Sequence, residues 1–142
     1  MRLSTVSPVR IIVLLLVIAL AVSTGAALAA DALAHGSWTK KSFKIAGTWK
    51  IVDEGGTRYV ELDAAFKTKK APDLKLFLHP LPLSAVNGKN AASNGAVLIH
   101  QLDSHKGAQR YALPADVDLS QFRTLLVHCE KYSKLWGGAP LR

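Results

Sequence analysis

Among 142 residues the chain carries a single cysteine, Cys129. One thiol cannot close an internal disulfide, hold an iron–sulfur cluster or build a multi-cysteine zinc knuckle. It can act as a redox nucleophile, pair with another chain, or pack as a small hydrophobe. In an extended strand alternate residues share a face, so Leu125, Val127, Cys129 and Lys131 point one way. Thr124, Leu126, His128 and Glu130 point the other. An ammonium at Lys131 would favour the thiolate, whereas burial beside Leu125 and Val127 would raise the thiol's pKa and slow its attack. Cys129 is therefore the candidate redox thiol and Lys131 the candidate thiolate stabiliser, with core packing as the alternative. His128 is adjacent in sequence, but the pleat turns it away, and a Cys–His nucleophilic pair would need a bulge there. The economical reaction for a lone thiol is oxidation to a sulfenic acid, which a partner's thiol then resolves.

Other chemistry finds little material. There is no Cys-x-x-Cys-His for covalent haem. A blue-copper site wants two histidines, a cysteine and usually an axial methionine. The only methionine is Met1, and no histidine follows Cys129. His79, His100 and His105 are spread over separate segments and read as surface histidines, although His100 and His105 could approach across a hairpin. Asp73, Asp116 and Asp118 lie in turn-like contexts and read as caps of backbone amides. The chain is expected to need no cofactor or metal, and no hydrolase constellation is present.

The positioning elements begin with an export signal. Arg2 and Arg10 precede an apolar run from Ile11 to Val22, and small residues follow to Ala30. A basic head, an apolar middle and an A-x-A ending make a secretory signal. Ala27-Leu28-Ala29 and Ala32-Leu33-Ala34 both fit the ending, and the second divides the chain into a signal over 1–34 and a domain over 35–142. Without cleavage, Ile11 to Ala30 would anchor the protein in a membrane. Periplasmic or extracellular location follows, and a free thiol is unusual there. The formal charge of +8 stays strongly positive without the signal. Export argues against nucleic acid as its partner, and leaves weak contact with an anionic surface or an acidic envelope protein.

The rest of the chain reads as strands and turns. Thr48 to Val52 and Thr57 to Leu62 alternate around Asp53-Glu54-Gly55-Gly56, a hairpin signature. Leu74 to His79 is a further strand, entered through Pro72-Asp73. Val97 to Leu102 and Gln109 to Leu113 read as the next pair, joined across Asp103 to Gly107. Thr124 to Glu130 is the last strong strand, and Trp136 to Leu141 reads as a short edge. Between Pro80 and Gly95 lies a long loop with two prolines and two Asn-Gly pairs, and Asp118 to Gln121 reads as a single capped turn. Hydrophobic residues at 49% rule against disorder, and no stretch keeps a helical period for three turns. The fold class is all-β: a single antiparallel sandwich of Greek-key or jelly-roll type behind an N-terminal signal helix.

These residues resemble the electron-transfer DM-thirteen domain, a small extracytoplasmic β domain, from about Gly36 to Leu141. The resemblance runs through Gly47-Thr48-Trp49-Lys50-Ile51, then Phe66 and Ala71-Pro72-Asp73-Leu74. Its most specific part is Tyr111-Ala112-Leu113-Pro114, Val117-Asp118-Leu119 and Phe122, leading into Leu126-Val127-His128-Cys129. Tyr132 to Leu141, with Trp136 and Ala139, closes the pattern. His128 stands where the family usually has an aromatic residue, and Phe43 where it often has a histidine. The resemblance implies an exported redox or electron-transfer accessory role through the single cysteine, without stand-alone enzyme activity, toward an envelope or secreted redox protein. The rival expectation is a binding module that uses the Pro80–Gly95 loop and its basic surface, with Cys129 as core packing.

Overall fold

The computed structural model describes residues 31–142, so the expected signal lies, up to residue 30, outside the described residues. Eleven strands follow in order: β1 (Ala32–Ser37), β2 (Thr39–Lys40), β3 (Ile45–Ala46), β4 (Thr48–Glu54), β5 (Thr57–Leu62), β6 (Lys67–Thr68), β7 (Leu74–His79), β8 (Val97–Gln101), β9 (Gln109–Ala112), β10 (Thr124–Cys129) and β11 (Lys134–Pro140). They form an antiparallel sheet β1-β4-β5-β9, a second sheet β2-β11-β10-β7-β8, and a small pair β3-β6. The fold is all-β, with two short 3₁₀ turns at Leu83–Ala85 and Leu119–Gln121. Ala32 to Ala34, the last residues of the signal on the downstream A-x-A reading, begin β1 and pair with β4.

The β4–β5 hairpin turns through Gly55 and Gly56, with φ of +62° and +89°. Positive φ at both central residues is what a tight hairpin turn with right-handed strand twist requires. The Asp53 carboxylate accepts the Gly56 N–H at 2.9 Å, so the acidic residue before the turn helps close it. The 3₁₀ turn at Leu119 is capped as expected: the Asp118 carboxylate accepts the Ser120 N–H at 2.9 Å.

Alternation decides which side chains meet. From the first sheet Trp49, Ile51, Val60, Leu62 and Tyr111 point inward, and from the second Leu74, Leu76, Leu78, Leu125, Val127 and Cys129 meet them in one core. β10 and β7 stay in unbroken register, pairing Leu125 with Leu78, Val127 with Leu76 and Cys129 with Leu74. β11 carries one extra residue, Trp136, opposite the Val127–His128 step. That bulge lets Trp136 join the inner core while its neighbour Leu135 packs on the other face.

Four sequence expectations change. The strands from Val97 and Gln109 do not pair with each other: β8 joins β7 and β9 joins β5, so their connection crosses between sheets. Trp136 to Leu141 is no edge, because β11 lies between β10 and β2. The Pro80–Gly95 loop is a lid over the outer face of the second sheet, with Val86 and Ala91 packed on Phe77, Leu126 and Leu135. Polar contacts pin it there. His79, fully buried rather than on the surface, accepts the Leu81 N–H at Nδ1 (3.1 Å) and donates from Nε2 to the Asn90 carbonyl (3.1 Å). The Thr124 hydroxyl donates to the Leu81 carbonyl at 2.8 Å.

Candidate functional site

Cys129 is the last residue of β10 and is 0% exposed. It completes the inward row begun by Leu125 and Val127, and its register partners are Leu74 on β7 and Lys134 on β11. The chain leaves the core at the next residue: Glu130 through Ser133 form the turn to β11, and all four are exposed. The thiol is thus enclosed at the end of a strand, one residue from solvent-facing backbone.

That turn is tied down chiefly by one side chain. The Asp73 carboxylate accepts the Lys131 N–H at 2.9 Å, and the Asp73 carbonyl accepts the Glu130 N–H at 3.3 Å. Lys75 bridges the two flanks, with its ammonium 3.1 Å from Asp73 and 2.6 Å from Glu130. Glu130 first, and then Asp73, hold the Lys75 ammonium above its ordinary range. The lid supplies a second clamp at Gly88, where a Cβ would fall 1.9 Å from the Ser133 carbonyl oxygen. Only glycine allows the lid to lie that close. Ser133 itself takes a φ of +47°, a left-handed conformation uncommon for a residue with a side chain.

The strand ends sooner than expected, and this moves Lys131. It sits in the turn, exposed, and its backbone is engaged with Asp73, while the thiol stays inside. His128 keeps to the opposite face from Cys129, because the extra residue that breaks the ladder lies in β11 and the pleat of β10 continues. It is 2% exposed, meets the ring of Phe77 edge-on at 6.0 Å, and its Nδ1 has no hydrogen-bond partner. Burial pushes the His128 pKa down, opposed mainly by the charge of Glu130.

The remaining histidines do not converge. His100 stacks on Tyr111 with ring centroids 4.7 Å apart, and His105 uses its backbone carbonyl to accept the Thr68 N–H at 2.9 Å. Among the described residues no group of three or more histidine, cysteine, aspartate or glutamate side chains is placed to hold a metal ion. Asp116 lies in an exposed turn. Sequence reasoning took Asp73 as a local cap of backbone amides, and the amide it caps is the distant one of Lys131. That reach needed the β7–β10 register, since pairing Leu74 with Cys129 is what brings Asp73 beside Glu130 and Lys131.

Fold and site together define an antiparallel β domain built around one enclosed thiol. The chain belongs to the electron-transfer DM13 family: the family model described as "Electron transfer DM13" matches residues 38–141, from before β2 to the residue after β11. No curated protein and no solved structure matched the chain. Membership carries with it the suggestion of a redox or electron-transfer role.

Proposed function

We propose that this protein is an exported redox accessory domain, an antiparallel β-sandwich whose Cys129 is sealed in the resting fold and reacts when the Glu130–Ser133 turn opens. The observation that carries this reading is the position of the thiol. Cys129 is the last residue of its strand, under a turn held by the Asp73 contacts and the Gly88 clamp. The same residue at mid-strand would be reached only by unfolding the sheet. Small openings at element ends cost less than global unfolding, and they admit reagents that the closed state excludes.

In the open state the chemistry balances with two partners. The Cys129 thiolate attacks a peroxide: an S–O bond forms, the O–O bond breaks, and the leaving hydroxide takes up a proton to become water. Sulfur is oxidised by two electrons and the peroxide is reduced. A thiol on an envelope partner then attacks the sulfenic sulfur, forming a mixed disulfide and releasing water. Lys131, two residues beyond the thiol, is the cation that the opened turn would bring toward the thiolate.

Complete burial favours a second reading, in which Cys129 only packs, as free cysteines commonly do. Trapping separates the two. Exported protein is treated with hydrogen peroxide and dimedone, and the Cys129 adduct is followed by mass spectrometry. The redox reading expects adduct from the folded protein, formed faster in Asp73→Ala than in wild type. Adduct appearing only under denaturing conditions, at the same rate in both proteins, would establish packing alone.

A further inference from the structure

Near the thiol's end of the second sheet, a groove of about 460 Å³ opens between β11, the segment after β6 and the bend after β2. Its base is aromatic. The Phe43 N–H donates to the Trp136 carbonyl at 3.2 Å, and the Phe43 ring lies 4.4 Å from that of Trp136. Trp136 is itself fixed, its indole N–H donating to the Lys69 carbonyl at 3.1 Å. Tyr132, 59% exposed, stands at the rim.

Charge collects on this base. The ammonium of Lys69 lies 4.5 Å from the centre of the Phe43 ring and that of Lys134 lies 5.7 Å from it, with Lys70 also lining the groove. Among the described residues none of these three lysines forms an ion pair, and the carboxylates of the adjoining turns, Asp73 and Glu130, are engaged by Lys75. Two ammonium groups over one ring repel each other, and no carboxylate among the described residues pairs with either. A ring's electron-rich face offsets only part of that repulsion.

We propose that this groove binds a planar aromatic anion, with the negative group between Lys69 and Lys134 and the ring against the exposed Tyr132. The volume lies within the range of small-molecule sites, about 300–1,000 Å³. A bare inorganic anion would satisfy the lysines and leave the aromatic rim unused. A neutral ring would do the reverse. The inference concerns binding alone and does not depend on the reactivity of Cys129.

The test titrates the exported protein with three probes by calorimetry. FMN carries both ring and phosphate, riboflavin has the ring without the anion, and inorganic phosphate has the anion without the ring. FMN is expected to bind at least about tenfold more tightly than either of the others, with affinity falling as salt rises. Replacing Lys69 and Lys134 together by alanine should weaken FMN about tenfold or more, while the Lys69→Arg, Lys134→Arg pair keeps most of the affinity. Circular dichroism checks that both variants fold, and these exposed side chains can be changed without touching the core. FMN failing to bind, FMN and riboflavin binding equally, or phosphate alone matching FMN would each overturn the proposal. An unchanged FMN affinity in the alanine pair would do the same.

Discussion

The two large sheets of this domain share a core, yet their outer faces differ. That of β1-β4-β5-β9 is a charged lattice open to water: Lys50 pairs with Glu61 at 3.1 Å, and Arg110 pairs with Glu54 and Glu61 while lying 3.7 Å over the Tyr59 ring. That of the second sheet is covered over its central strands, at Phe77, Leu126 and Leu135, and all six residues of β10 are buried. A strand with one wet face reads as alternating apolar and polar residues, and a strand buried on both faces reads as a continuous apolar run. The chain puts its single thiol at the end of the second kind of strand, on the inward face, opposite the face that the lid covers.

The contrast can be broken most severely at Leu126, which faces the lid and is 0% exposed. Leu126→Ala is expected to cost about 2–5 kcal/mol by urea denaturation, as for a buried leucine that leaves a cavity. A loss under about 1 kcal/mol would mean that the lid is not part of the folded core.

Gly88→Ala probes the contact between lid and turn. Its Cβ meets backbone, which cannot rotate out of the way as a side chain can. We expect a cost of about 1–3 kcal/mol, with faster hydrogen exchange confined to residues 81–96 and 130–134. Exchange unchanged in both segments would show that the clamp does not hold them.

Acid gives a smaller, graded effect on the covered face. His128 has a folded pKa below its ordinary 6.5 because of burial, so the unfolded chain takes up protons first. The stability tied to its neutral form is complete above about pH 6.5 and is lost as pH falls from there toward the folded value. Glu130 and Asp73 oppose that shift and Lys75 adds to it. Asp63 and Asp118 are held below the carboxylate range by hydrogen bonds with Thr48 and Ser120, and they add a second loss as pH falls below about 3.8. His128→Phe should remove the first step and leave the second, measured by thermal melts from pH 7.5 to 3. A first step persisting in that variant would assign it elsewhere.

The smallest effect belongs to the wet face. Arg110→Ala removes two exposed ion pairs and should shift stability by no more than about 1 kcal/mol, and less at high salt.

The sequence was most legible where local chemistry decides structure. Gly55-Gly56 announced its hairpin, and Asp118 its cap. Leu74 to His79 and the β10 row showed their faces by alternation, and the inward position of Cys129 followed from that. Partnership between distant strands was not legible. Nothing local tells β8 to pair with β7 rather than β9, because that choice depends on which apolar faces close the core. The lid was misread for a related reason: Asn-Gly pairs and prolines mark a loop, but only the apolar outward residues Phe77, Leu126 and Leu135 show that something must cover them. Alternation puts Lys131 on the Cys129 face only if the strand continues past Glu130, whereas Asp73 draws the chain into a turn there. The aromatic base of the cationic groove joins residues from two separate segments and had no signal in either.

The central claim is that Cys129 is reached by a local opening under Asp73, short of global unfolding. Its most direct test is the alkylation rate of Cys129 in folded protein across sub-denaturing urea, for wild type and Asp73→Ala. A local opening predicts a rate above that allowed by global unfolding and nearly independent of urea. It also predicts about tenfold acceleration in Asp73→Ala, since one charge-assisted hydrogen bond and its ion pair are removed. A rate that tracks global stability at every urea concentration in both proteins would contradict the claim and leave Cys129 as packing.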